Sequence, residues 1–333
     1  MNTARAMRRW IGLAALAATT VSVTAVSALA QSADKWPDRP VRILIPVGPG
    51  GAADTLARNL SSSFPEFANG HALIVENRPG AGGTIAATAV VREAPDGYML
   101  FLADVGPNAV SHTMAQLSYD PHTAFTPIIH IANLPAAILA RPNLGAKTIP
   151  EFIALAKANP GKFNYASAGL GNWTHLFTEH FNKTAGIEQV NVVFRSGAEM
   201  MTAVLRGDAD TATITVSTGL AHVKEGKLVA LGGLAARPMV QLPDVASVGK
   251  TLPGFDVTVW HGVAGPADMP APLVQRINDI FNKVIQTPAV KKAITENQAA
   301  DIVGGTPQQF DAFIKSELKR WPEVVKAAGI KAK

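Results

Sequence analysis

The chain has 333 residues, of which 47% are apolar, 17% charged and 6% aromatic, and it contains no cysteine. That much apolar material excludes a disordered chain and can fill one large core or two smaller ones, while the lack of cysteine removes disulfide scaffolds, iron–sulfur clusters, zinc knuckles and thiol catalysis. The formal charge of +5 is concentrated at the start: residues 1–30 hold Arg5, Arg8 and Arg9 and no acid, leaving 27 basic against 25 acidic groups, too even a balance for a nucleic-acid binder.

Met1–Ala30 reads as a secretory signal peptide, with a basic n-region, an apolar stretch over Ile11–Val26 and an A-x-A site at Ala28-Leu29-Ala30. Cleavage there starts the mature chain at Gln31. The run from Trp10 to Ala30 is also long enough for a membrane anchor, but its second half is rich in Ser, Thr and Ala, which favours cleavage. The mature protein is expected to be exported and soluble.

Val41–Val47 is a short β-branched run that ends in Gly48-Pro49-Gly50-Gly51, and Leu56 and Leu60 then show helical spacing. Leu73–Glu76 predicts a second strand, Ile85–Val91 a helix and Met99–Ala103 a third strand. The apolar runs Phe125–Ile131 and Ala136–Ala140 are set to carry the chain out of a first sheet. Thr148-Ile149-Pro150-Glu151 is a capping box that opens a helix, and Pro160-Gly161 stops it. Strand, small-residue loop and helix then recur over Phe163–Ala166, Ser167–Asn172 and Thr174–Ala185. They recur again over Val190–Phe194, Arg195–Gly197 and Ala198–Arg206, and Thr211–Thr215 and Leu228–Leu234 complete the second set. After a Pro/Gly-punctuated connection, Thr258–Ala264 is a strand and the tail is helical. Thr306-Pro307-Gln308-Gln309 starts the last helix, and Pro322 is expected to kink or restart it.

Such alternation argues for parallel α/β sheets in two lobes. Crossings near Leu134 and Phe255 divide the chain into a signal peptide (1–30), a discontinuous first lobe (31–134 plus 256–333) and a second lobe (135–255). Small-molecule sites favour the cleft between such lobes.

Three strand–helix turns, Gly48–Gly51, Ser167–Asn172 and Arg195–Gly197, have the composition of anion-binding loops. Helix N-termini present unpaired N–H groups, and small residues let a ligand approach them. Many such turns only satisfy geometry, but loops in opposite lobes could face each other. One helix terminus is worth about 0.3–1 kcal/mol to an anion, or ~2 when partly buried. Micromolar binding needs about 8 kcal/mol. Dipoles alone therefore fall short, and main-chain N–H groups with hydroxyls such as those of Ser167 and Thr174 must supply the rest.

Other signals are weaker. Gly80–Gly83 lacks the dinucleotide register, and no phosphate-binding P-loop or nucleophile elbow is present. His175 and His180 are five apart, about 140° around a helix, so they do not share a metal-binding face. His180 reads as an ordinary helix residue, while His175 either lines a site or packs. Asp54 either faces a ligand or complements a helix dipole. Arg195 either pairs with a carboxylate or reaches solvent. Trp173 is either packing or a cleft wall.

The order of motifs resembles the extracytoplasmic solute receptors of the tripartite tricarboxylate transporter family, also called Bug receptors, over Trp36–Lys333. Seven motifs carry it: Trp36-Pro37-Asp38-Arg39-Pro40; Pro46 through Gly50-Gly51 to Asp54; Glu76-Asn77-Arg78-Pro79-Gly80-Ala81-Gly82-Gly83; Pro95-Asp96-Gly97-Tyr98; Tyr165-Ala166-Ser167-Ala168-Gly169; Leu242-Pro243-Asp244-Val245; and Gly304-Gly305-Thr306-Pro307. The resemblance implies a two-lobed α/β periplasmic binding protein fold of type II topology that closes on a small carboxylate and delivers it to a membrane permease of two subunits. It implies a periplasmic monomer with no cofactor, no metal, no nucleic-acid partner and no catalysis; the alternative is an enzyme acting on a small carboxylate on a similar fold.

Its ligand loops match Val47, Gly48, Pro49, Gly50, Gly51 and Asp54 on one side. On the other they match Ser167, Ala168, Gly169, Gly171, Asn172, Trp173, Thr174 and His175, with Arg195 and Thr215 added from neighbouring turns. Four departures from the family pattern bear on specificity: Val47 for an aromatic, Trp173 for a small residue, Phe194-Arg195 for Tyr-Lys, and Ile214-Thr215 for a polar pair containing Asp. With that Asp missing, a ligand ammonium has no expected partner. A plain organic acid, aromatic against Trp173, is therefore favoured over an amino acid.

Overall fold

The computed structural model describes residues 35–327, so the signal peptide and its cleavage site lie outside the described residues. β1 (Val41–Ile45) leads through the glycine turn into α1 (Ala52–Phe67), followed by β2 (Leu73–Asn77), α2 (Thr84–Val91) and β3 (Met99–Asp104). β4 (Phe125–Leu134) completes the first pass. β1 pairs in parallel with β2 and β3, the register that strand–helix–strand crossovers impose.

Pro135 alone separates β4 from β5 (Ala136–Ala140), which opens the second sheet. There follow α3 (Ile149–Lys157), β6 (Phe163–Ser167), α4 (Trp173–Ala185), β7 (Gln189–Val193), α5 (Gly197–Arg206), β8 (Thr211–Thr215), α6 (Val216–Lys224) and β9 (Val229–Gly233). This sheet has the order β7-β6-β8-β5-β9. The chain then returns through β10 (Val259–Pro266), α7 (Ala271–Val284), α8 (Pro288–Lys292), β11 (Asp301–Gly304) and α9 (Pro307–Ala327). The first sheet runs β2-β1-β3-β10-β4-β11, with β10 inserted antiparallel between β3 and β4. That insertion is the type II arrangement.

Every residue of β3 and β10 is buried, as suits strands covered on both faces. Where the chain passes between sheets, the outgoing and returning segments are bonded together. Leu234 N–H donates to Ala136 C=O (2.9 Å), and Val257 N–H donates to Leu234 C=O (3.2 Å).

The capping signals act as their chemistry requires. Thr306 Oγ1 accepts from Gln309 N–H (3.2 Å), while Gln309 Oε1 accepts from Thr306 N–H (2.8 Å). Pro322 does not restart α9, which runs through it as one helix of 21 residues. Packing overrides the proline. Trp321 is completely buried and stacks on Phe177 of α4 (5.0 Å between ring centroids). Glu317, itself buried, accepts the indole N–H of Trp260 at 3.1 Å and that of Trp321 at 3.0 Å. The edge strand β11 and the helical turns over residues 106–113 have no counterpart in the sequence reading. The first is only four residues long, and Gly106-Pro107 breaks the periodicity of the second.

Candidate functional site

Between the sheets the Gly48–Gly51 turn meets the Arg195–Gly197 turn, and the Ser167–Asn172 turn meets Gly82 and Ser111. Gly48 N–H donates to Arg195 C=O (2.9 Å), Ser111 Oγ–H donates to Gly171 C=O (3.1 Å), and Gly82 abuts the Leu170–Asn172 backbone. A cavity of about 40 Å³ lies beneath these contacts. A water needs about 10–15 Å³ on this measure, so it holds about three.

The cavity is lined by chain from both lobes. Val47, Gly51, Ala52 and Ala53 face Ala168, Asn172, Trp173 and Thr174, with Gly197 and Thr215 beside them. Ala52, Trp173 and Gly197 are the first residues of α1, α4 and α5, and Thr215 is the N-cap of α6. Four positive helix ends therefore converge on one space. Among the described residues no Lys or Arg lines it. Helix N-termini with no basic side chain beside them make a site whose positive potential comes from the main chain.

Three buried polar atoms with no partner lie on residues lining the same space: Asn172 Nδ2, Asp104 Oδ2 and His261 Nδ1. Asn172 Oδ1 is committed to capping α4, accepting from Thr174 N–H (3.0 Å) and Thr174 Oγ1–H (2.9 Å). Its amide nitrogen is thereby left to donate elsewhere. Asp104 ends β3, is 1% exposed, and accepts Gly106 N–H on Oδ1 (2.6 Å). Burial pushes its carboxyl up to about 7, the Gly106 bond opposing that only in part. His261 sits opposite Asp104 in the β3–β10 register, and burial with nearby His130 pushes it down to about 4, so its ring is neutral at ordinary pH.

Other candidates are placed differently. Asp54 points away from the cavity. Its carboxylate accepts from Gly50 N–H (3.1 Å), Arg58 Nε (3.0 Å) and Asn77 Nδ2 (2.9 Å), bonds that fix the first glycine turn. Those bonds outweigh burial and hold its carboxyl below the usual range. Arg195 is exposed and contributes its carbonyl to the inter-lobe contact, so its guanidinium is not on the cavity. Pro49 and Gly50 are exposed at the rim, and Gly169 packs toward Gly82. Ser167 is completely buried, its Oγ accepting Gly169 N–H at 3.4 Å. Gly171 and His175 line a different, outer groove of about 1220 Å³. Ser167 and His175 thus share no reacting space as nucleophile and base. Trp173 is both wall and packing, 7% exposed on the cavity with its ring 5.6 Å from Phe177. His180 stacks on Phe255 (4.7 Å) as an ordinary helix residue.

Comparison with known proteins fits this geometry. The pattern described as "Tripartite tricarboxylate transporter family receptor" matches residues 56–330. The chain belongs to that family. The receptor is 31% identical to protein BugT of Bordetella pertussis over 93% of this chain and 95% of BugT. Its fold superposes on the periplasmic binding protein BugD with a TM-score of 0.84 at 28% identity, covering 90% of this chain and all of BugD. It also superposes on MatC of Rhodopseudomonas palustris, which holds malate, with a TM-score of 0.83 at 27% identity, covering 87% of this chain and all of MatC. Family and neighbours are solute-binding receptors rather than enzymes.

The sequence reading missed Asp104 and His261. Asp104 brings an acid to the cavity wall from β3, where the pair Ile214-Thr215 on β8 has none. A strand ending in Asp before Gly-Pro is an ordinary turn signal, and only the pairing of β3 with distant β10 brings it to the site.

Proposed function

We propose that this receptor works in the periplasm as a monomer, captures one small organic carboxylate between its lobes, leaves it chemically unchanged and presents it to the membrane permease of a tripartite tricarboxylate transporter. The observation that carries this reading is the convergence of four helix N-termini from both lobes on one cavity without a Lys or Arg side chain among the described residues. Malate in MatC supports the ligand class. A lobe division at 134/135 and 255/256 agrees with the two places where the chain changes sheets. Gly51, Ala52 and Thr218 also wall a neighbouring groove of about 370 Å³, which gives the ligand a path inward.

Charge-assisted hydrogen bonds of roughly 1.5–3 kcal/mol each, three or four in number, reach micromolar affinity once the lobes exclude water. Calorimetry with a panel of mono- and dicarboxylates of three to six carbons tests this. At least one is expected to bind and to be recovered unchanged. Absence of binding across the panel, or steady conversion of a bound acid, rejects it.

A further inference from the structure

The cavity contains one group of the wrong sign. Helix ends and the Asn172 amide all call for an acceptor, and an anion suits them. An ionised Asp104 would place a second negative charge beside that anion, with no Lys or Arg on the wall to separate the two among the described residues. Two arrangements remove the conflict. Either the ligand brings a cation or hydroxyl to Asp104 Oδ2, or Asp104 carries a proton. A ligand ammonium would sit among the positive ends of α1, α4, α5 and α6, where a cation is disfavoured. The proton is the better solution.

We propose that Asp104 binds as a neutral carboxylic acid, donating its O–H to the ligand carboxylate, so that capture of an anion draws a proton from solvent wherever the free Asp104 is ionised. This rests on the reading of the cavity as a carboxylate site.

Asp104 is built for the role. Oδ1 is fixed by Gly106 N–H, its own N–H is held by Asn108 Oδ1 (3.1 Å), and Oδ2 is buried, unpartnered and on a residue that lines the cavity. The groups around it leave its ionisation under its own control. His261 on β10 is neutral, pushed down to about 4. Tyr119, the other titratable group that senses Asp104, stays protonated, its hydroxyl pushed upward by burial and donated to Pro107 C=O (2.9 Å). From α1, Asp54 is tied to Arg58 and Asn77, and the cavity walls from α4, α5 and β8 carry no titratable side chain. With the free carboxyl near 7, the sign follows: binding tightens the proton, so affinity is complete below about 7 and falls as pH rises above it.

The test is calorimetry with succinate and L-malate at pH 6 and pH 8, in buffers of different ionisation enthalpy. Affinity is expected to be about tenfold weaker at pH 8, with close to one proton taken up there and little at pH 6. Asp104→Asn, which still donates an N–H, is expected to bind with no such pH dependence. Proton release, no uptake at pH 8, or an Asp104→Asn variant that keeps the tenfold change overturns the proposal. If neither acid binds, the carboxylate reading is what fails for these probes, and a carbon-13 titration of the Asp104 carboxyl in the ligand-free protein still decides the proton. A midpoint near 7 supports the inference, and one in the ordinary aspartate range overturns it. The wild-type measurements stand even if the variant does not fold.

Discussion

Two buried carboxylates lie at places where the lobes meet, and they are provided for in opposite ways. Glu317 accepts two indole N–H groups, from Trp260 on β10 and Trp321 on α9, and Trp321 in turn stacks on Phe177 of the other lobe. Asp104 has one bond and one unpartnered oxygen on the wall of a cavity. The first junction is sealed by polar satisfaction and aromatic packing. The second is held by glycine contacts that separate without exposing a core. Buried polar groups that hold a fold together are normally satisfied, and the proposed proton on Asp104 accounts for the one that is not.

The largest expected loss is at the sealed junction. Glu317→Ala leaves two buried indole N–H groups without an acceptor. It is expected to cost about 3 kcal/mol, from two hydrogen bonds to a charged group, read as a lower urea midpoint. A loss under about 1 kcal/mol would show that the junction is not a structural weld.

Next in size is the separable junction. Gly82 has a φ of +65°, and a Cβ there would lie 2.8 Å from Asn172 N and closer still to Leu170 C=O. Gly82→Ala is expected to weaken carboxylate affinity at least about tenfold, since a left-handed alanine alone costs about 1–2 kcal/mol and the seam must also open. Equal affinity in the two proteins would remove this seam from the closing surface.

The third effect reverses the sign of the first. Asp104→Asn relieves a buried carboxyl raised to about 7 and is expected to stabilise the ligand-free receptor by up to about 4 kcal/mol at pH 8. Because the folded carboxyl is raised to about 7, the wild-type disadvantage is absent below about pH 4, grows as pH rises toward 7 and is then constant. Thermal melts across that range check it, and a variant less stable than wild type at every pH would place Asp104 with Glu317 as a structural group.

Most of the fold was legible because its signals are local. Short β-branched runs such as Val41–Ile45, the Thr306/Gln309 cap and the small-residue turns each fix their element within a few residues. At Pro322 local chemistry misled, because the packing of Trp321 lies outside any sequence window. The same divide runs through the site. Val47, Gly51, Ala168, Asn172, Trp173, Thr174 and Thr215 all reach the cavity from motifs the chain displays openly. Asp104 and His261 reach it through a strand pairing between residues 157 positions apart, which no spacing rule encodes. Asp54 entered the candidate site through the motif running from Pro46 to Asp54, while its place in the first helical turn pointed to a structural role; its three bonds brace the loop.

The four helix ends around the cavity have a consequence for how such a receptor can change. In the proposed function charge recognition belongs to the backbone, which point substitutions leave in place, whereas Val47, Trp173, Met200 and Ile214 shape the walls. Side chains can therefore be exchanged to suit an acid of different length or bulk without surrendering the grip on its negative end, and the scaffold can wander among ligands while its affinity for anions persists.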